Sequence, residues 1–199
     1  MSFRRNLVCK LRQFAGCKKV SSGMTWLIAG FIFFHLPMLF AQNNDRAAVT
    51  IKSGAIEIGL AGSMTIVEGS TRTMLAARTG VFKRAARGLC GIETEVAYSH
   101  VNALDRLDWE AALSWQRAIK KSSVYPFIAL GGGWRQEHLG SFRQARYPLG
   151  FNLGLRALLA PQAAIRMEYK FRRILRDPVA NFSEQHLVVG VSILFRNSP

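Results

Sequence analysis

The sequence predicts an all-β protein, an eight-stranded antiparallel up-and-down β-barrel that follows an N-terminal signal segment. From residue 54 to residue 195, segments recur in which apolar and polar residues alternate with a period of two. That is the pattern of strands with one apolar and one polar face. The segments number eight and their connections are short, which favours antiparallel neighbours and closure into a barrel without free edges. We find no convincing amphipathic helix.

The N-terminal 41 residues resemble a targeting segment. Basic residues precede the apolar run Met24–Ala41, and a polar stretch follows it, as in a signal peptide. We expect cleavage after Ala41, because His35 and Pro37 interrupt the run. An uncleaved inner-membrane anchor is the alternative, since the run approaches the ~20 residues that span a bilayer. The predicted organisation is residues 1–41 as signal segment, 42–53 as a short polar entry, 54–195 as the barrel and 196–199 as a tail.

The first four strands are predicted at Ala55–Val67, about Thr73–Phe82, Leu89–His100 and Leu107–Gln116. In the fourth strand, odd positions such as Trp109 and Trp115 are apolar and even positions such as Asp108 and Glu110 are polar. The second strand alternates less cleanly and places Arg78 among apolar residues. The pattern therefore does not fix the register of the second strand.

The last four strands are predicted at Val124–Trp134, Tyr147–Leu158, Ala163–Arg173 and His186–Phe195. The fifth carries Tyr125, Phe127 and Ala129 on its apolar side and three consecutive glycines, Gly131–Gly133, near its end. Such glycines fit a tight bend or a close approach inside a barrel wall. A phosphate-binding loop is the alternative, but it requires a following helix N-terminus, which the sequence does not offer.

Alternation alone does not say whether the apolar face lines a core or faces lipid. Strands of roughly 9–11 residues match the tilted span of a bilayer, and eight strands enclose an interior too narrow for so many large apolar side chains. The polar face mixes small residues with charges of both signs, which can pair in a closed lumen. Toward lipid, each Lys or Arg at mid-depth would cost about 2–4 kcal/mol. We therefore predict a transmembrane barrel with the polar face inside.

The predicted lumen ion network consists of Glu57, Glu93, Glu95, Asp108, Glu110, Arg156, Arg166, Glu168, Lys170 and Arg172, and Arg117 shares the same polar face. Aromatic residues near the ends of the apolar stripes predict the girdles of a membrane barrel. These residues are Tyr98, Trp109, Trp115, Tyr125, Phe127, Tyr147, Tyr169, Phe171 and Phe195.

The chain is strongly basic, with 27 Lys and Arg against 12 Asp and Glu and a net charge of +15. Such a balance favours phosphate-bearing partners, either nucleic acid or lipid headgroups. We find no nucleic-acid-binding module and expect no nucleic acid partner. The four histidines show no metal-ligand spacing, so we predict no metal and no cofactor.

Residues 54–195 resemble the small outer-membrane β-barrels of Gram-negative bacteria, of the OmpA transmembrane-domain, OmpX and opacity-protein type. The matching stretches are "YPFIALGGGW", "FNLGLRALLAP", "AAIRMEYKFR" and "HLVVGVSILF". The resemblance implies periplasmic termini and a terminal aromatic residue, here Phe195, that the barrel-assembly machinery recognises. The tail "RNSP" beyond Phe195 departs from that pattern.

With periplasmic termini, the outer loops are predicted at residues 68–72, 101–106, 135–146 and 175–185. Their basic side chains suggest contacts with lipopolysaccharide phosphates; a plain solvated loop is the alternative. The candidate residues are Arg135, Arg143, Arg146, Arg173 and Arg176. The expected partners are outer-membrane lipid, lipopolysaccharide and the assembly machinery, and we expect a monomer.

The sequence favours a non-enzymatic outer-membrane barrel with a structural or surface-interaction role through its outer loops, and no catalytic residues are predicted. One alternative is a lipid-modifying barrel enzyme, for which Ser99 and His100 are adjacent polar candidates. Adjacent strand residues point to opposite faces, which places them poorly as a catalytic pair. The other alternative is a soluble periplasmic barrel that binds a ligand in its core.

Overall fold

The computed structural model describes residues 50–67, 70–85, 87–101, 104–119, 122–175 and 183–196. Eight antiparallel strands follow one another around a closed barrel, which confirms the predicted fold class. They are β1 Ile56–Val67, β2 Ser70–Ala85, β3 Gly88–Val101, β4 Leu104–Gln116, β5 Val124–Leu139, β6 Phe142–Ala160, β7 Ala163–Leu175 and β8 Ser183–Phe195. The predicted signal segment lies outside the described residues, as does Arg176. Within the described ranges, no helix combines the length and apolar character needed to cross a bilayer.

Pairing of the first strand with the last closes the barrel. The β1–β8 ladder runs from Ile56 opposite Phe195 to Ser63 opposite Val188. Every other neighbouring pair follows in sequence order. The ring therefore leaves no free sheet edge along this ladder, as expected for an up-and-down barrel.

Several strands extend well beyond their predicted ends. The predicted outer loop 135–146 is an extension of the β5–β6 hairpin, in which Leu139 pairs with Phe142. Gly140 supplies the positive φ of 59° at its tip, a conformation that glycine adopts without steric cost. The loop prediction was wrong because strand pairing and alternation continue through most of this segment, which turns Arg135 into the lumen.

Alternation in the structure separates an apolar outside from a polar inside. On β4, Trp109 and Trp115 are 48% and 42% exposed. Asp108, Glu110 and Ser114 lie between them in sequence and are buried inside the barrel. The same inside and outside parity holds on β3, where Ile92 is exposed.

An apolar cluster fills the end of the barrel that carries the N-terminal entry and the end of β8. It contains Ile51, Ala55, Phe82, Leu89, Tyr125, Leu158, Ala164 and Leu194. The backbone N–H of Ile51 donates to the Tyr125 hydroxyl at 2.9 Å, and that of Gly54 donates to the Phe82 carbonyl at 2.7 Å. We call this cluster the apolar plug.

The plug corrects the prediction for the start of β5. Tyr125, Phe127 and Ala129 were predicted on the outward apolar face, but all three are buried in the interior. The physical reason is that the lumen is apolar at this end, where Tyr125 packs in the plug and Phe127 lies under the guanidinium groups of Arg156 and Arg166. Both faces are therefore apolar at the start of β5, since Ile128 and Leu130 are exposed on the outer face.

The glycine-rich part of β5 lies where neighbouring strands approach closely. A Cβ atom built on Gly133 would lie 1.9 Å from the carbonyl oxygen of Trp109 on β4. On β6, a Cβ on Gly150 would lie 1.9 Å from the carbonyl oxygen of Phe171. These distances exclude any side chain, so the glycines belong to the close approach of strands in the wall.

Candidate functional site in the charged lumen and at the barrel rims

The lumen next to the apolar plug holds a cluster around Glu57. Its carboxylate accepts from Arg156 Nη2 at 2.7 Å and from the Ser192 hydroxyl at 2.7 Å. Arg156 also pairs with Glu93 at 3.7 Å and donates to the Gln116 side chain. The guanidinium lies 4.6 Å from the ring centroid of Phe82, a cation–π contact that links the charged cluster to the plug.

The middle of the lumen is centred on Glu168. Its carboxylate is 2.8 Å from Arg166 Nη2, 2.5 Å from Arg78 Nη2 and 3.5 Å from Lys170 Nζ. Arg166 also pairs with Glu93, which joins this cluster to the cluster around Glu57. Such charge-assisted hydrogen bonds satisfy several donors of each cation at once.

Lys170 extends the network further from the apolar plug. Its ammonium pairs with Glu95 and lies 3.8 Å from Glu110. Glu110 accepts two hydrogen bonds from Arg172, at 3.0 and 2.7 Å. The chain of ion pairs therefore continues from the plug into the half of the barrel that lies away from it.

A separate cluster occupies the opposite end of the lumen. Asp108 pairs with Arg106 at 2.5 Å and with Arg135 at 2.9 Å. Glu184 lies 2.9 Å from Arg135 and 3.2 Å from His186. Interacting side chains thus lie at both ends of the lumen.

The structure brings the ten residues of the predicted ion network together inside the barrel, and it adds four charged residues that the predicted network lacks. The added residues are Arg78, Arg106, Arg135 and Glu184. Among the described residues the lumen then holds seven basic and seven acidic side chains, so its formal charge balances. The bases are Arg78, Arg106, Arg135, Arg156, Arg166, Lys170 and Arg172, and the acids are Glu57, Glu93, Glu95, Asp108, Glu110, Glu168 and Glu184.

Two arginines lie elsewhere than predicted. Arg135, predicted as a lipopolysaccharide contact, is 0% exposed and binds Asp108 and Glu184 inside the barrel. It points inward because β5 continues to Leu139. Arg117, predicted on the polar inner face, is exposed because β4 ends one residue before it. The sequence feature that indicates an inward Arg135 is its spacing from Gly131 and Gly133, which places it on the same face of the strand.

The predicted lipid-facing aromatic residues fall into two groups. Tyr98 and Tyr147 are exposed on the outer wall, as are Trp109 and Trp115. Phe171 is partly exposed and stacks on Phe151 with 5.4 Å between ring centroids. Tyr169 has the same outward parity but is only 8% exposed; the register places it between Leu153 and Leu187.

The rim opposite the plug carries a small polar cluster. The Tyr98 hydroxyl donates to Asp105 Oδ1 at 2.7 Å, and His100 Nδ1 lies 2.7 Å from the same oxygen. Ser99 is buried on the inner face, whereas His100 is exposed on the outer face. The His–Asp pair therefore has no serine nucleophile beside it on its own strand.

The remaining candidates for lipopolysaccharide contact lie at this same rim. Arg143 and Arg173 are exposed, and Arg146 is partly exposed and pairs with Glu137 at 3.3 Å. In the described part of the chain, no group of three or more His, Cys, Asp and Glu side chains is arranged to hold a metal ion.

No protein-family model matches the sequence, and a comparison with curated proteins finds no match. Solved structures do match. Neisserial surface protein A is 14% identical with a TM-score of 0.52, and the match covers 72% of this chain and 98% of that one. The N-terminal β-barrel domain of Pseudomonas aeruginosa OprF is 12% identical with a TM-score of 0.52, over 72% of this chain and 98% of that one. The chain thus has the fold of the small outer-membrane β-barrels, which confirms the predicted resemblance at the level of the fold.

Proposed function

We propose that this chain is a non-enzymatic β-barrel of the bacterial outer membrane, with a structural or surface-interaction role through the rim opposite the plug. The observation that carries the proposal is the inverted distribution of side chains. Large apolar residues such as Leu113, Leu130 and Ile92 are exposed all around the wall, while the interior holds ion pairs. An exposed apolar surface of this extent marks a membrane or protein interface, and the inversion is that of a membrane barrel.

The interior supports a sealed barrel. The ion pairs connect opposite walls, as between Arg156 on β6 and Glu57 on β1, and the apolar plug fills one mouth. Eight strands enclose only enough space for their own side chains. The proposed role is therefore not the conduction of solutes, and any activity belongs to the rims.

The outer rim suggests the partner. Arg143 and Arg173 are exposed there, at the level where lipopolysaccharide phosphates would lie if the termini are periplasmic. Exposed guanidinium groups bind phosphate oxygens in bidentate fashion. At the other end, exposed Phe195 closes β8 and is the proposed recognition residue for the assembly machinery.

The enzyme alternative has less support. Acyl transfer needs a nucleophile within hydrogen-bond reach of a base, and the wall of β3 separates Ser99 from His100. The soluble alternative would leave Trp109 and Leu113 in water.

Heat-modifiable gel mobility tests the proposal. A closed membrane barrel is expected to fractionate with the outer membrane and to migrate differently in unboiled and boiled samples. A single mobility together with recovery in the soluble periplasmic fraction would contradict the proposal and favour the ligand-binding barrel.

A substitution on the outer wall distinguishes a wall that faces lipid from a wall that faces water. We expect Leu113→Arg to lower the free energy of unfolding in vesicles by up to about 2–4 kcal/mol, because the guanidinium would face lipid. Leu113→Met is the matched control and retains an apolar side chain. On a soluble barrel, an exposed arginine would change stability by no more than about 0.5 kcal/mol, and that result would contradict the membrane proposal.

A further inference from the structure

The rim beside the plug, where the described residues begin and end, carries a group of exposed basic side chains. Five basic side chains are exposed there and form no ion pair with any described residue, and exposed Lys52 lies at the same end. The five are Lys83, Arg84, Arg87, Arg117 and Arg196.

No described acidic side chain offsets these cations. Six of the nine described acids are buried in the lumen, namely Glu57, Glu93, Glu95, Asp108, Glu110 and Glu168. The other three, Asp105, Glu137 and Glu184, lie at the opposite end of the barrel. The excess of positive charge on this rim is therefore uncompensated within the described structure.

The cations form an arc over neighbouring strands. Arg196 follows β8, Lys83 and Arg84 lie in the last three residues of β2, Arg87 precedes β3 and Arg117 follows β4. The ladders β8–β1, β1–β2, β2–β3 and β3–β4 place these positions side by side. We call this surface, consisting of the five cations, the basic arc.

The basic arc lies at the edge of the apolar wall. Trp115, which is half exposed on β4, covers Gly88 so closely that a Cβ there would lie 2.8 Å from the indole Nε1. This places the indole next to Arg87. Phe195 is exposed on β8, one residue before Arg196. Tryptophan beside long basic side chains is the combination found where a membrane meets water.

We propose that the basic arc binds the anionic phospholipid headgroups of the leaflet at this end of the barrel. The inference rests on the proposed membrane location. The uncompensated charge complements phosphodiesters, and its position at the edge of the wall puts it at headgroup depth rather than in open solution. A cation near an anionic membrane surface contributes about a fivefold preference for that surface, and this preference is screened by salt.

Unfolding in vesicles tests the inference. The full chain is folded into vesicles of phosphatidylcholine alone and into vesicles with about one third phosphatidylglycerol, and the urea midpoint is read from gel mobility. We expect the midpoint to rise with phosphatidylglycerol, the R87Q/R117Q variant, which lacks two of the five cations, to lose about two fifths of that rise, and high salt to abolish it. R87K/R117K keeps a positive charge at the same two positions and is expected to keep the rise.

Equal responses of the two variants would overturn the inference. The inference would also be overturned if R87Q/R117Q kept the full response to phosphatidylglycerol but no longer cosedimented with isolated peptidoglycan. That result would assign the arc to binding of an acidic polymer. The unboiled mobility in phosphatidylcholine vesicles reports on the barrel independently of headgroup charge. A folded-barrel mobility in both kinds of vesicle, with no effect of phosphatidylglycerol on the urea midpoint, would contradict the inference alone. If neither kind of vesicle gave the folded-barrel mobility, the proposed function would be contradicted as well.

Discussion

Individual ionisable residues in this lumen depend on their partners, because burial removes the water that would otherwise solvate them. Glu168 illustrates the point: it is buried and contacts Arg166, Arg78 and Lys170. Such a group stabilises the fold only as long as the opposite charges remain. Removing the charge of Glu168 would therefore affect three buried cations at once.

We expect Glu168→Gln to lower the free energy of unfolding by about 3–5 kcal/mol, because it leaves buried cations without their shared carboxylate. Asp105→Asn is the matched control, since Asp105 is half exposed and pairs with His100 at the rim. Exposed pairs contribute about 1 kcal/mol or less. Urea titration of the two variants in vesicles measures the difference, and equal losses would show that the lumen is well hydrated.

At the scale of strands, alternation predicted the eight elements and the ten ion-network residues, but not the strand ends. Arg106 and Arg135 were assigned to loops because charged residues near a turn resemble solvated ones. Arg106 pairs with Asp108 on the same strand, but Arg135 pairs with Asp108 on β4 and with Glu184 on β8. Only the register of the closed barrel reveals that these charges compensate one another.

The start of β5 shows the other limit of the sequence. Its alternation was detected, yet Tyr125 and Phe127 were placed on the wrong face. A period of two assigns residues to two opposite faces of the strand, but it does not show which face points into the barrel. The plug around Ile51 depends on a contact between residues 74 positions apart, which a local pattern does not contain.

The wall between β6 and β7 gives a prediction at this scale. Gly150→Ala is expected to destabilise the barrel by about 1–3 kcal/mol, because its Cβ would collide with the carbonyl oxygen of Phe171 and push the strands apart. Gly62→Ala adds the same methyl group on β1, where the nearest atom is 3.7 Å away, and is expected to fold normally. Unboiled gel mobility and urea midpoints compare the two. A normal midpoint for Gly150→Ala would contradict the close approach.

At the scale of the whole molecule, closure joins the first strand to the last across almost the entire described chain. The β1–β8 ladder stops at Ser63 and Val188, although both strands continue beyond these residues. The ion pair between Glu57 and Arg156, and the plug residues Ile51 and Leu194, stabilise the same end. Closure thus depends on the end of the barrel next to the basic arc.

A designed disulfide tests this closure. Ile58 and Ile193 face each other in the register, so Ile58→Cys/Ile193→Cys is expected to oxidise in the folded protein once Cys9, Cys17 and Cys90 are replaced by serine. Because the bond closes a long loop, it should stabilise the barrel by on the order of 2–4 kcal/mol and change the mobility of the boiled, unreduced sample. Ile58→Cys/Leu187→Cys uses the same two strands, but the second cysteine lies about 20 Å further along β8, so it should not form the bond. Efficient oxidation of that control, or failure of the facing pair to oxidise, would contradict the register that closes the barrel.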